Sequence, residues 1–525
     1  MIRASPDQVK PADMTALLPP DSSFRLRQIP GKWQRKTLLA QDHVAIIMPA
    51  KVPASLWDEL PEELRGLKAV ARRLGEDGRS KWITGHLPAS TRVTLARLPE
   101  APGKSDPLPA TALLKFAGDL AAEILRDQPA ELAVLVIGIA GTERRAVLDA
   151  LLLALTARNW QAPQFRASMK TPSLKTVTLA GLDKKLDFSR TLIEGEAANL
   201  ARWLTAMPPN KLDATSYREL LGALAGQHDW ELSFFDEAAL HKLGAGAFLA
   251  VAQGNASRDA GIARLRYRPG ASKAHPDLAL VGKGIIFDTG GTNLKTFSSM
   301  LDMHEDMAGS AVALGLLLAL TRLQVPLATD CWLALTENRT GPLAYKSRDV
   351  VTACNGVTIE VIHTDAEGRM ALADTLALAA REKPGLIADF ATLTGTCVHA
   401  LSERYSGVFS NREPLLELLV SAGRNSGERL WPFPLDDDFD TDLESQVADV
   451  LQCAIEAKGD HILASRFLQR FVPQEIPWIH MDLSAASRKQ GLGQMPPGAT
   501  GFGVRCMLAL LIDQADQLQA ALGHD

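Results

Sequence analysis

Cysteine is scarce in this 525-residue chain, and the five present, Cys331, Cys354, Cys397, Cys453 and Cys506, are far apart with no Cys-x-x-Cys pair. Such spacing speaks against a disulfide framework and against a zinc ribbon, and it suits a reducing compartment. A surplus of basic residues is also lacking: 56 Lys and Arg against 61 Asp and Glu leave a formal net charge of -5. A dedicated nucleic-acid site is therefore not expected. No run of about eighteen uninterrupted apolar residues occurs, so no membrane span is predicted. The first residues, MIRASPDQVKPADMTALLPP, have no continuous apolar core of the kind a secretory signal carries, and a cytoplasmic location is the expectation.

What is present is ordinary globular material, 46 % hydrophobic and 22 % charged, in a chain long enough for two domains or three. Residues 1–24 carry prolines without periodicity and read as a loose arm. From 25 to 190 strand and helix signals alternate: HVAIIMPA (His43 to Ala50) as a buried strand, Ala110 to Leu125 as a helix, ELAVLVIGIAG (Glu131 to Gly141) as a strand, then a helical stretch to Arg158. This is the pattern of a smaller α/β domain. Gly103-Lys104-Ser105 resembles the end of a phosphate-binding loop. The position five before that glycine is Leu98 rather than glycine, and the Pro-rich surroundings make it a surface loop. The pattern weakens from Thr176 to Arg190.

A helix over Thr191 to Met207, stopped by Pro208-Pro209, reads as the link to a second domain spanning 191–525. There, strands are expected at Trp230 to Phe235, Leu278 to Gly282, Leu327 to Leu335, Val357 to Ile362, Gly385 to Ala391 and Trp478 to Leu483. The intervening helices are placed at Ala214 to Leu224, Glu237 to Leu243, Asp306 to Leu323, Arg369 to Arg381, Pro414 to Asn425 and Val504 to Leu518. The whole is an α/β protein, with the larger C-terminal domain doubly wound.

Charged residues punctuate the apolar segments from Val281 to Arg369. Lys283 and Asp288 stand in VGKGIIFDTGG, Lys295 in TNLK, Asp306 in MHEDMAG, and Asp365, Glu367 and Arg369 in HTDAEGR. Each falls just past a predicted strand or at the start of the next helix, the edge where open α/β sheets bind ligands. Singly, each has a plain reading as a helix cap, a solvated lysine or a helix-start charge pair. Jointly, four carboxylates in one crevice repel one another unless protonated, paired or bridged by divalent cations. Two cations suit the cluster best, and paired cations are machinery for hydrolysis.

VGKGIIFDTGG, LK, EDMAGSA, HTDAEGRMALAD and ATLTG together resemble the ordered motifs of the leucyl aminopeptidase family, the di-metal cytosol aminopeptidases. The similarity runs from about Glu194 to the C-terminus, whereas the first 190 residues agree only in general character. The resemblance implies that Lys283, Asp288, Asp306 and Glu367 ligate one ion, zinc or manganese, and that Asp288, Asp365 and Glu367 ligate a second. It implies that Lys295 faces the oxyanion and that Arg369 holds a bicarbonate acting as general base. Met303, Thr392 and Gly395 match positions that shape the pocket for the first side chain. Short peptides with an apolar, leucine-like first residue are the implied substrates, and a homohexamer the implied assembly.

Three positions depart from the family pattern: Thr289 in place of serine, His363 in place of asparagine, and His304 in place of a basic residue. In an extended segment His363 and Asp365 would share a face, so His363 is expected to line the pocket or touch a metal. These departures leave open a binding or scaffold protein of the same fold. A two-metal phosphoesterase is a third reading, though neither the lysine ligand nor the T-D-A-E-G-R run calls for it.

Overall fold

Runs of β-branched and aliphatic residues place HVAIIM (His43–Met48) and ELAVLV (Glu131–Val136) side by side as buried parallel strands. In the computed structural model of the chain, which describes residues 17–31, 33, 35–57, 81–87, 91–103, 107–166, 171–270, 274–456 and 458–523, they lie at the centre of a six-stranded sheet. Its order is Arg25–Pro30, Thr176–Leu182, Glu131–Val136, His43–Met48, Arg92–Arg97, Trp82–His86, and only the last pair is antiparallel. Helices Ala110–Leu125 and Gly141–Asn159 close one face.

Thr176–Leu182, where the sequence pattern fades, is a strand buried between two neighbours. Its TVTLAGL shows no alternation because both faces are covered. The loose-arm expectation fails from Leu17 onward. Leu17 is buried, its carbonyl accepts from Trp203 Nε1 at 2.9 Å, and the Ser22 carbonyl accepts from Asn159 Nδ2 at 2.8 Å. Residues 1–16, and Lys104 and Ser105 of the phosphate-loop lookalike, lie outside the described residues.

The linking helix, Ser189–Thr205, is buried along most of its length and packs against the core helix Ala308–Arg322. Arg202 is buried within it. Its Nε donates to the Ala499 carbonyl at 3.0 Å, its Nη1 to the Ala157 carbonyl at 2.9 Å and to Asn199 Oδ1 at 2.6 Å, and its guanidinium lies 3.9 Å over the Trp160 ring. One side chain thereby ties the end of the first domain to a C-terminal loop of the second.

The second sheet has eight strands in the order Leu430–Pro432, Ser406–Ser410, Trp478–Asp482, Leu386–Ala391, Leu278–Asp288, Thr329–Asn338, Gly261–Tyr267, Glu231–Asp236. Its four central strands are parallel, with antiparallel pairs towards both sides. Apolar clusters cover both faces, one built on Ala308–Arg322 and the other on Gly246–Ala252 and Glu367–Arg381. The fold is thus α/β, with a smaller N-terminal domain joined by a helix to a larger, doubly wound C-terminal one.

Several expectations are corrected. The stretch Val357 to Ile362 does not join the main sheet. Its Thr358–Glu360 core pairs with Val350–Thr352 and Val450–Leu451 in a separate three-stranded sheet, and three paired residues are too few for a central strand. Asp306 does not open its helix but ends a 3-10 turn, Met303–Glu305, two residues before Ala308. The last helix is broken by a π turn into Val504–Leu508 and Ala515–Leu522. Strands Gly261–Tyr267, Ser406–Ser410 and Leu430–Pro432 are not among the expected elements.

Candidate active site

Lys283 does not close its strand, because Leu278–Asp288 runs on for another five residues. The two neighbours of this strand explain why its far end is nevertheless a site. On one side pairing continues to Asp288 against Asn338, through a bulge after Thr336. On the other side the partner strand stops at Ala391, with Phe390 opposite Gly282. From Lys283 onward the strand therefore overhangs its neighbour, and the crevice opens where hydrogen-bonding partners run out.

Side chains from four connections converge there. Lys283 Nζ lies 2.8 and 2.7 Å from the two oxygens of Asp306, 3.1 Å from Glu367 Oε1, and donates to the Thr392 carbonyl at 2.9 Å. Lys295 Nζ lies 2.9 Å from Asp288 Oδ2 and 2.6 Å from Asp365 Oδ1. One oxygen from each of Asp288, Asp365 and Glu367 can be chosen so that all three fall within 4.8 Å of one another. Four carboxylates against two ammonium groups leave an excess of negative charge in a largely buried place.

That excess shows in the titration of the cluster. Burial pushes the Asp306 and Glu367 carboxyls up to about 7, and Asp365 to about 6, against the opposing pull of the lysines. Burial by itself would lower both lysines, but the surrounding carboxylates outweigh it and hold each amine above its ordinary value. Converging carboxylates that resist ionisation together, with a lysine among them, form a donor set for hard or borderline divalent cations. An ion there would relieve the repulsion that the two lysines offset only in part.

Several positioning residues were not singled out from the sequence. Asn338 Nδ2 donates to Asp288 Oδ1 at 2.8 Å and to the Thr364 carbonyl at 2.9 Å; it lies three residues past the strand end read at Leu335, so following the strand further would have found it. Asp482, the last residue of Trp478–Asp482, accepts from Thr394 Oγ1 at 2.6 Å and from Leu393 N at 3.2 Å, which fixes the Thr392–Gly395 turn. Gly368 has no room for a side chain, because a Cβ there would stand 2.5 Å from Lys283 Cε and 2.7 Å from its Nζ. The T-D-A-E-G-R glycine is thus the floor on which the lysine lies.

The cavity above the cluster has a volume of about 470 Å³. Met303, Thr392 and Gly395 line it, together with Leu393, Val398 and Ser487. His363 is exposed and is not among the lining side chains; its Nδ1 stands 3.3 Å from Asp365 N in its own turn. The chain turns at Thr364 instead of staying extended, so the two-residue rule that placed His363 beside Asp365 does not apply there. Thr289 Oγ1 donates to the Asn338 carbonyl at 2.8 Å, a supporting contact. His304 is half-buried and does not line the cavity. Arg369, 2 % exposed, donates from Nη2 to both oxygens of Asp460 at 2.9 and 2.8 Å and from Nη1 to the Gln452 carbonyl at 3.3 Å.

The profile of the cytosol aminopeptidase family, catalytic domain, matches residues 199–508. A probable cytosol aminopeptidase of Syntrophotalea carbinolica is 38 % identical over 375 residues, covering 70 % of this chain and 74 % of that protein. Another from Wolbachia pipientis wMel is 36 % identical over 440 residues, covering 82 % and 85 %. Among solved structures, a tomato leucine aminopeptidase variant superposes with a TM-score of 0.82 at 26 % identity, over 94 % of this chain and 98 % of that one. The bottromycin maturation enzyme BotP in complex with Mn superposes with a TM-score of 0.74 at 29 % identity, over 91 % and 100 %. With a crevice of the right composition at the right sheet edge, and a family match covering more than half its length, the chain belongs to the cytosol aminopeptidase family, the leucyl-type aminopeptidases, and is a hydrolase of that class.

Proposed function

We propose that this protein removes the first residue of short peptides, using two divalent ions, zinc or manganese, held by Lys283, Asp288, Asp306, Asp365 and Glu367. The observation that supports this most is the convergence of Asp288, Asp365 and Glu367 within 4.8 Å, beside a lysine that already touches Asp306 and Glu367. When bound, such ions supply Lewis acidity at the scissile carbonyl and make a hydroxide available near neutral pH. Asp288 and Glu367 would serve both ligand groups, as the resemblance implies. Lys283 enters a ligand set only as the neutral amine, so it must release the proton that Asp306 and Glu367 now hold on it. With cations held by Asp288 and Asp365, Lys295 would no longer be needed to neutralise them and would be available to meet the charge that develops on the carbonyl oxygen.

Met303, Leu393 and Val398 give the cavity an apolar lining, which favours an apolar first side chain. The bicarbonate that the resemblance assigns to Arg369 does not fit the residues here, because Asp460 already engages that guanidinium with both oxygens. A cytoplasmic location is supported by the names of the relatives and by five cysteines that are all free.

Metal-stripped protein is expected to be inactive on a leucyl dipeptide and to regain turnover on addition of Mn²⁺ or Zn²⁺. Absence of turnover across a panel of first residues, with two metals bound by elemental analysis, would sink the reading. We further propose a homohexamer, for which the exposed Leu294, Phe297 and Leu301 beside Lys295 provide apolar surface to cover. Sedimentation velocity is expected to give six chains per particle; a monodisperse monomer at micromolar concentration would rule this out.

A further inference from the structure

We propose that Asp460 supplies, from within the chain and as counter-charge to the guanidinium rather than as general base, the negative charge that the family resemblance places at Arg369 as bicarbonate, so that hydrolysis by this protein does not depend on bicarbonate. The inference rests on the hydrolytic reading above and concerns one residue that this reading leaves unused.

Arg369 lies in the first turn of Glu367–Arg381, two residues beyond the proposed ligand Glu367, and its guanidinium is enclosed. A buried guanidinium requires a counter-charge and acceptors. Here both come from the protein: the two Asp460 oxygens on Nη2 at 2.9 and 2.8 Å, and the Gln452 carbonyl on Nη1 at 3.3 Å. Among the described residues the Nε group has no hydrogen-bond partner, but the positive charge it shares is already matched. A second anion on this guanidinium would sit beside the Asp460 carboxylate, and like charges in a poorly solvated place repel. The Arg369 position is thus furnished with its anion before any solute arrives.

Asp460 is also held in place. It is the first residue of helix Asp460–Gln469, where the helix dipole favours a carboxylate. The next residue, His461, donates its backbone N–H to Thr396 Oγ1 at 3.0 Å, which ties this helix start to Gly395–Leu401, the helix that follows the cavity-lining turn. Gln452 completes the frame: its side-chain oxygen accepts from the amides of Ile362 and His363 at 3.0 and 3.1 Å, and its Nε2 donates to the Ala366 carbonyl at 3.1 Å. The segment carrying Asp365 and Glu367 is therefore braced by the same group of residues that holds the Arg369–Asp460 pair. Asp460 is accordingly a positioning residue, acting through Arg369.

The test uses full-length, metal-loaded protein and a leucyl dipeptide, in buffer freed of carbon dioxide or supplemented with bicarbonate. Wild-type turnover is expected to be the same in both buffers. Wild-type protein is also expected not to retain carbon-13-labelled bicarbonate after rapid desalting. Asp460→Ala is expected to lose about tenfold or more in kcat, with metal content unchanged, and to recover on addition of bicarbonate or formate. Asp460→Asn, which keeps the shape of the side chain, is the second variant should Asp460→Ala fail to fold. Rescue by a small anion is a readout that a merely structural aspartate would not give. The proposal is overturned if wild-type activity falls on removal of carbon dioxide, if wild-type retains one labelled bicarbonate per chain, or if folded variants stay unchanged or cannot be rescued. A wild-type protein without turnover in either buffer would instead count against the hydrolytic reading, while the labelled-bicarbonate measurement would still decide this one.

Discussion

Lys295→Ala is expected to lower kcat on a leucyl dipeptide by about 10²- to 10³-fold while both metal ions remain bound, the loss typical of removing one preorganised oxyanion donor. The ammonium group lies 2.9 and 2.6 Å from the carboxylates of Asp288 and Asp365, and is 14 % exposed. Those contacts aim it at the carboxylates that the proposal gives to the metals. Were metals to take over that neutralisation, the cation would be free to act on charge that appears only as the carbonyl is attacked, which is why kcat should fall and KM change little. Lys295→Arg is not expected to restore activity, since a planar fork cannot be aimed as a compact ammonium can. The decisive pair of measurements is kcat and metal content on the same preparation. A variant with kcat within about threefold of wild type would remove Lys295 from the chemistry.

Lys283→Met is expected to have the larger structural effect. It leaves Asp306 and Glu367 facing each other without the buried amine that touches both. Removal of one partner from a buried ionic group costs about 3–5 kcal/mol. Protonation of the orphaned carboxyls, which burial already pushes up to about 7, will hold the loss towards the lower end of that range. Methionine fills similar volume, so the deficit is electrostatic rather than one of packing. The proposed ligand set that contains the amine should fail to fill, giving about one metal per chain rather than two in elemental analysis. Activity should be lost with it. The urea midpoint of metal-free protein reads the stability loss, and equilibrium dialysis reads the stoichiometry. Two metals per chain with unaltered affinity would show that Lys283 ligates neither.

Gly368 illustrates how little of such a constraint is visible in one dimension. In the sequence it is one glycine within a charged hexapeptide; in the fold it is the surface against which the Lys283 side chain lies. Asn338 and Asp460 are of the same kind. Neither stands within the motifs that announce the site, yet one orients Asp288 and the other takes the Arg369 guanidinium. His363 errs in the opposite direction: the two-residue rule of an extended segment put it on the face of Asp365, to line the pocket or touch a metal, but the turn at Thr364 leaves it exposed outside the cavity. Arg369 stands out in the sequence, although its partner Asp460, 91 positions away, does not.

The fold class, the linking helix, most strands of the second sheet and the ordered motifs that identify the family are legible along the chain alone. These depend on local periodicity and on residue types whose chemistry is the same wherever they are placed. That Leu278–Asp288 overhangs a shorter neighbour, that Thr358–Glu360 leaves the main sheet, and that Asp460 pairs with the Arg369 guanidinium emerges only in three dimensions. Each of those is a relation between segments distant in the chain. Strand ends are set by where a neighbour stops supplying hydrogen-bond partners, and the charge state of a buried arginine by what packs against it, so neither is written in the run of residues that contains it.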